Sequence, residues 1–118
     1  MSVRHPDRDQ IRVEDVLSAM GNHLRLEVVR LLDAGGEHNC TSLLNVLGVT
    51  AKSTMTHHWR VLRESGVIWQ RPSGRENLLT LRREDLDARY PGLLDAVLTG
   101  ALTDSLTPAS RTRADSEG

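Results

Sequence analysis

At 118 residues and 13.1 kDa, with 38% hydrophobic and 26% charged residues, the chain has the size and usage of one globular domain with one core. Aromatic residues make up only 3% and phenylalanine is absent, so Leu and Val must fill the core, which favours helix packed on helix over a sandwich. Fifteen basic against sixteen acidic residues leave a net charge of −1 that points to no polyanionic partner, and a lone cysteine, Cys40, excludes an intrachain disulfide framework or a multi-cysteine zinc site within one chain.

Residues 1–10 are polar and without burial periodicity, which predicts a flexible N-terminal arm. From Ile11 to Met20 the apolar positions Ile11, Val13, Val16, Leu17 and Met20 share most of one helical stripe, and Gly21 can end that helix. Asn22 suits the N-cap of a second helix, in which Leu24, Val28, Leu31 and Leu32 repeat at buried-face spacing before Gly35-Gly36. Either Asn39 or Thr41 can cap a short third helix carrying Leu43, Leu44 and Leu47, closed by Gly48. Thr50 offers the next cap, for a helix over 51–64 with Met55, Trp59 and Leu62 turned inward and Gly66 as its stop. Two helices joined through Gly48-Val49-Thr50 have the spacing of a helix-turn-helix.

Val67-Ile68-Trp69, the turn cluster Pro72-Ser73-Gly74 and the run Leu78-Leu79-Thr80-Leu81 predict a hairpin over 67–81, a wing. Glu84 to Arg89 is a short helical turn, and Pro91 starts a terminal helix bearing Leu93, Leu94, Val97, Leu98 and Leu102. The remaining polar segment predicts a disordered tail over 103–118. The expected fold class is mainly α with a small β-hairpin: a winged helix-turn-helix over 11–102, with about five helices and a two-stranded wing. No run approaches the roughly 20 apolar residues of a membrane span, and the first ten residues lack a signal peptide's apolar stretch, so the expected location is the cytoplasm with no membrane partner.

Two stretches resemble the ArsR/SmtB family of small bacterial winged-helix repressors. One runs from Asn22 to Leu32 (NHLRLEVVRLL), and the more specific one from Ser53 to Ile68 (STMTHHWRVLRESGVI), followed by a wing-like QRPSGREN over 70–77. The resemblance covers about Ile11 to Leu102. It implies a homodimer that lays two recognition helices and two wings on double-stranded operator DNA and leaves when an effector binds. Local charge is consistent with it: between residues 50 and 77, five basic side chains (Lys52, Arg60, Arg63, Arg71, Arg75) stand against Glu64 and Glu76, a local +3 in a near-neutral chain.

With Met55, Trp59 and Leu62 inward, Ser53, Thr56, His57 and Arg60 share the opposite face, with Lys52 and Thr54 near the helix start. Arg60 suits a bidentate guanine contact, the hydroxyls suit phosphates or single base contacts, and Arg71 and Arg75 flank the hairpin turn for a minor groove or its phosphates. A solvated polar helix face is the bland alternative, which the basic wing disfavours. His58, beside Trp59, is expected near the buried edge, in packing and one hydrogen bond. Trp59 stands where the family commonly carries leucine and is expected in the core.

Metal-sensing relatives carry Glu-Leu-Cys-Val-Cys-Asp-Leu where this chain has Glu37-His38-Asn39-Cys40-Thr41-Ser42-Leu43, so both cysteine positions are lost. No histidine occurs between Pro91 and Leu106, where a second family site would need one. A nonstandard nickel or zinc site would have to draw on His5, Asp7, His38 and Cys40, with the arm folded onto the third helix. A redox role for Cys40 lacks a basic neighbour in sequence to activate the thiolate. Pairing of His38 and Cys40 as base and nucleophile lacks an orienting third group, so no enzyme is expected. The other readings are a winged helix that serves as a protein-interaction module, or a regulator that needs a co-regulator protein in place of a directly bound metal.

Overall fold

Caps and glycines set the helix limits in the computed structural model, which describes residues 5–49 and 52–105, the side chains of Lys52 and Ser105 excepted. Helix α1 (Val13–Met20) is followed by α2 (His23–Gly35), which starts where Asn22 Oδ1 accepts from the Arg25 amide at 3.1 Å. Asn39, not Thr41, caps α3 (Cys40–Leu47), its Oδ1 accepting from the Ser42 amide at 2.7 Å. Gly48 ends α3 in the left-handed region at φ +74°, a backbone that a side chain would strain. Helix α4 spans Lys52–Glu64; the expected Thr50 cap lies outside the described residues, as does the tail beyond 105.

The wing consists of β2 (Ile68–Ser73) and β3 (Glu76–Leu81), paired antiparallel from Ile68↔Leu81 to Ser73↔Glu76. Pro72 lies inside β2 rather than in the turn, which falls at Gly74 and Arg75. A third strand, β1 (His38–Asn39), pairs with β3 at Leu79 and Leu78, giving the order β1-β3-β2. Two residues carry no periodicity, so this strand escapes sequence reading. Helices α5 (Arg83–Arg89) and α6 (Leu93–Ser105) complete six α-helices among the described residues, and α6 runs three residues past the expected domain end at Leu102.

The core is aliphatic, as the composition requires. Val16 and Ala19 of α1, Val28 and Leu32 of α2, Leu43 of α3, Met55 and Leu62 of α4, Leu79 of β3 and Leu94 of α6 are all buried. Arg83 braces this helical layer from outside. It reaches Asp33 of α2 at 2.7 Å, Asp87 of α5 at 3.3 Å and Asp95 of α6 at 3.0 Å.

Residues 5–10, expected in a flexible arm, are laid along the domain. Arg8–Gln10 forms a 3-10 turn, Arg8 Nε donates to Asp85 Oδ1 at 2.7 Å, and Ile11 is buried one residue ahead of Arg12, the N-cap of α1. Hydrophobic periodicity is blind to such a segment, because polar and backbone groups make most of its contacts. Ile11 packs under Gly66, where the chain leaves α4 for the wing at φ +90°; a Cβ on that glycine would sit 2.5 Å from Ile11 Cγ1.

Candidate nucleic-acid interface

Of the sequence-selected side chains, Thr56 of α4 and Arg75 of the wing line one cleft together with Cys40, Thr41 and Trp59. On α4, Met55 and Leu62 are fully buried and Trp59 is nearly so, anchoring one face. The other face is polar: Ser53, Thr54, Thr56, His57 and Arg60 are exposed. At 100° per residue, Ser53, His57 and Arg60 point most directly away from the core. Arg60 is exposed and forms no ion pair among the described residues.

The two wing arginines differ. Arg75 is exposed at the hairpin tip, beside Gly74 at φ +62°, and has no ion pair among the described residues. Arg71 is also exposed, but its Nη2 lies 2.6 Å from Glu37 Oε2, on the segment before β1. Arg63 turns inward, Nη1 donating to Gln70 Oε1 at 2.9 Å, so it ties α4 to the wing instead of reaching solvent. The local +3 read from sequence therefore overstates the unspent cationic charge of the reading surface, because Glu37, 34 residues from Arg71, neutralises one charge.

His58 is half-buried, as expected, and its partner lies in α2. Arg25 Nη1 donates to His58 Nδ1 at 3.0 Å, while Arg25 Nε and Nη2 donate to the carbonyls of Ala19 (2.7 Å) and Ser18 (3.3 Å) at the end of α1. One guanidinium thus joins α1, α2 and α4 through carbonyls in the last turn of α1. Since Arg only donates, His58 must accept and be neutral. Burial, then the Arg25 charge and His57, hold its pKa below the usual imidazole value. Nothing in sequence signals a contact across 33 residues.

Thr41 Oγ1 also donates to Glu76 Oε1 at 3.3 Å, linking α3 to the wing. The suggested metal ligands are not gathered. His5 is engaged at β2, and among the described residues no group of three or more His, Cys, Asp or Glu side chains is placed to hold a metal ion. Residues 5–8 lie not on α3 but against the wing base and α5, because Gln70, Arg82 and Asp85 supply their partners. Burial, followed by the Glu76 charge, pushes the Cys40 thiol up to about 11, the opposite of an activated thiolate.

A family model described as a helix-turn-helix domain matches residues 20–71, which run from the end of α1 to β2. YceK, an uncharacterized HTH-type transcriptional regulator of Bacillus subtilis, is 29% identical over 98 residues, covering 82% of this chain and 95% of that protein. The crystal structure of an ArsR family transcriptional regulator superimposes with a TM-score of 0.60 at 20% identity, covering 71% of this chain and 90% of that one. The transcriptional repressor BigR from Xylella fastidiosa gives 0.58 at 26% identity, covering 74% and 83%.

The chain carries a helix-turn-helix domain, is similar in sequence to an HTH-type transcriptional regulator and has the fold of an ArsR family regulator. Its relatives are regulators and not enzymes, in keeping with a surface built from an exposed polar helix face and a hairpin. No helix among the described residues is long and apolar enough to cross a membrane.

Proposed function

We propose that this regulator is a homodimeric repressor that binds an inverted-repeat operator, inserting the helix of residues 51–64 in the major groove and setting the wing of residues 67–81 on the flanking backbone. The observation that carries the reading is the division of α4, with Met55, Trp59 and Leu62 holding one face in the core and Ser53, His57 and Arg60, which has no ion pair among the described residues, presented on the other. A planar guanidinium projecting from such a helix suits the O6 and N7 acceptors of guanine. Ser53, Thr54, Thr56 and His57 supply phosphate or single base contacts, Lys52 stands at the helix start, and Arg75 reaches the phosphates or minor groove beside the site. Arg71 joins them by exchanging Glu37 for a phosphate.

Two exposed apolar stripes favour a dimer. Val13 and Leu17 on α1 and Leu102 on α6 remain exposed, at spacings that continue the buried faces of their helices. A two-fold dimer would present its two α4 helices to half-sites one helical turn or a multiple apart, which asks for an inverted repeat. Repression is favoured over activation by the likeness to BigR, itself a repressor.

The test is fluorescence anisotropy of the purified protein on DNA from upstream of its own gene and on scrambled DNA, at low and near-physiological salt. Binding that survives near-physiological salt on the first DNA only is expected. Binding to neither refutes direct operator recognition and turns the reading toward a protein-interaction module or an obligatory co-regulator protein.

A further inference from the structure

The open edge of the wing is not bare. Strand β2 is an edge strand, since the sheet order is β1-β3-β2, and the Gln70 amide donates to His5 Nε2 at 3.0 Å instead of to β3. His5 also packs on Trp69, ring centroids 5.1 Å apart. The next residue continues the attachment: the Pro6 carbonyl accepts from Arg82 Nη1 at 2.8 Å. Arg82 is 2% exposed, lies 3.7 Å over the Trp69 ring and shares Asp85 with Arg8. A buried guanidinium needs all its partners, and here one is a main-chain carbonyl of the N-terminal segment. Side chain, backbone and ion pair of residues 5–8 thus converge on the base of the wing.

We propose that residues 5–8 are a latch that positions the wing, with His5 and Arg82 as positioning residues for the DNA contact made by Arg75. The inference rests on the DNA-binding reading above for its functional consequence, though not for the latch itself. Strand β1 supports β3 only at Leu78 and Leu79, so β2 keeps an open edge whose unpaired amides are mobile features, and the hairpin beyond is a two-strand ribbon. Closing the edge at Gln70 narrows the positions Arg75 samples, so the ordering is complete before DNA arrives.

The latch is also a proton switch, because imidazolium has no lone pair for the Gln70 amide. The charged groups facing His5 are Arg82 at the end of β3, Arg63 on α4, and the Glu37–Arg71 pair across the cleft that His5 lines with Trp69 and Leu78. Burial first, then Arg82 and Arg63, hold the His5 pKa below its usual value, and Glu37 is already engaged by Arg71. The contribution of the neutral ring is complete above the unfolded imidazole pKa and is lost as pH falls through the lower folded value.

The experiment is residue-resolved amide hydrogen exchange at Gln70 in the full chain, corrected for intrinsic rates, with operator affinity measured in parallel for wild type, His5→Ala and His5→Gln. His5→Ala should lower Gln70 protection and operator affinity each by about threefold to tenfold, the worth of one hydrogen bond. His5→Gln, which restores an acceptor that does not titrate, should recover both and remove the loss of protection that wild type shows below neutral pH. Gln70 exchanging equally fast in wild type and His5→Ala overturns the latch. Loss of Gln70 protection with unchanged operator affinity overturns its positioning role. Should wild type bind no DNA, the DNA reading fails and the positioning role with it, whereas Gln70 protection still decides whether the latch exists.

Discussion

Replacing Gly66 by alanine perturbs the junction on which the proposed reading head depends. Gly66 leaves α4 at φ +90°, its amide donating to Arg63 O at 3.2 Å while the Val67 amide donates to Leu62 O at 3.0 Å. A left-handed backbone costs a non-glycine residue roughly 1–2 kcal/mol. The new Cβ would also fall 2.5 Å from Cγ1 and 2.8 Å from Cδ1 of Ile11, a side chain 1% exposed with little room to yield. Overpacking of that kind costs about 1–3 kcal/mol, so the expected loss is about 2–5 kcal/mol. Gly74→Ala is the control: φ is +62° there too, but nothing lies within 4 Å of the added Cβ. Urea unfolding followed by far-UV circular dichroism should place Gly66→Ala well below Gly74→Ala at equal m-value. Combining Gly66→Ala with Ile11→Ala should return about 1–3 kcal/mol relative to additivity, because the second change removes the clash. Equal losses for the two glycine variants, or no coupling to Ile11, would refute the packing of the N-terminal segment under this turn.

Two further predictions concern the linkage of the reading helix and the assembly. His58 is neutral in its bond with Arg25 and its pKa is lowered, so its stabilisation is present above the unfolded imidazole pKa and lost as pH falls through the lower folded value. Urea midpoints measured from pH 7 to pH 5 should show a loss in wild type of about 1 kcal/mol or less, since the pair is partly exposed, and a smaller loss in His58→Asn, which keeps an acceptor that does not titrate. Identical pH profiles contradict the assigned role. Leu17→Asp should convert a micromolar dimer to monomer in sedimentation velocity while the helical far-UV circular dichroism spectrum is kept, because Leu17 is exposed in the protomer. A monomeric wild type removes the dimer from the account.

The helices were legible in sequence because their signals are local. Asn22, Asn39, Gly48 and Gly66 are short-range punctuation, and the stripes of α2 and α4 repeat within four residues. The paired runs flanking Gly74 likewise marked the wing. What escaped reading depends on sequence-distant partners: β1 is defined by Leu78 and Leu79, and the 5–10 segment is held by Trp69, Gln70, Arg82 and Asp85. In the candidate site, the exposed face of α4 followed from periodicity. The charge assignment fell short, because counting arginines cannot show that Arg71 meets Glu37 or that Arg63 turns to Gln70.

One comparison tests most directly whether α4 reads bases while the wing tip holds the backbone. Wild type, Arg60→Ala and Arg75→Ala are titrated by anisotropy onto upstream and scrambled DNA across a salt series. Arg60→Ala should lose roughly 1–3 kcal/mol on the upstream DNA and little on scrambled DNA, whereas Arg75→Ala should weaken both similarly and reduce the salt slope by about one. Equal losses on both DNAs from both variants would contradict the division of labour between helix and wing.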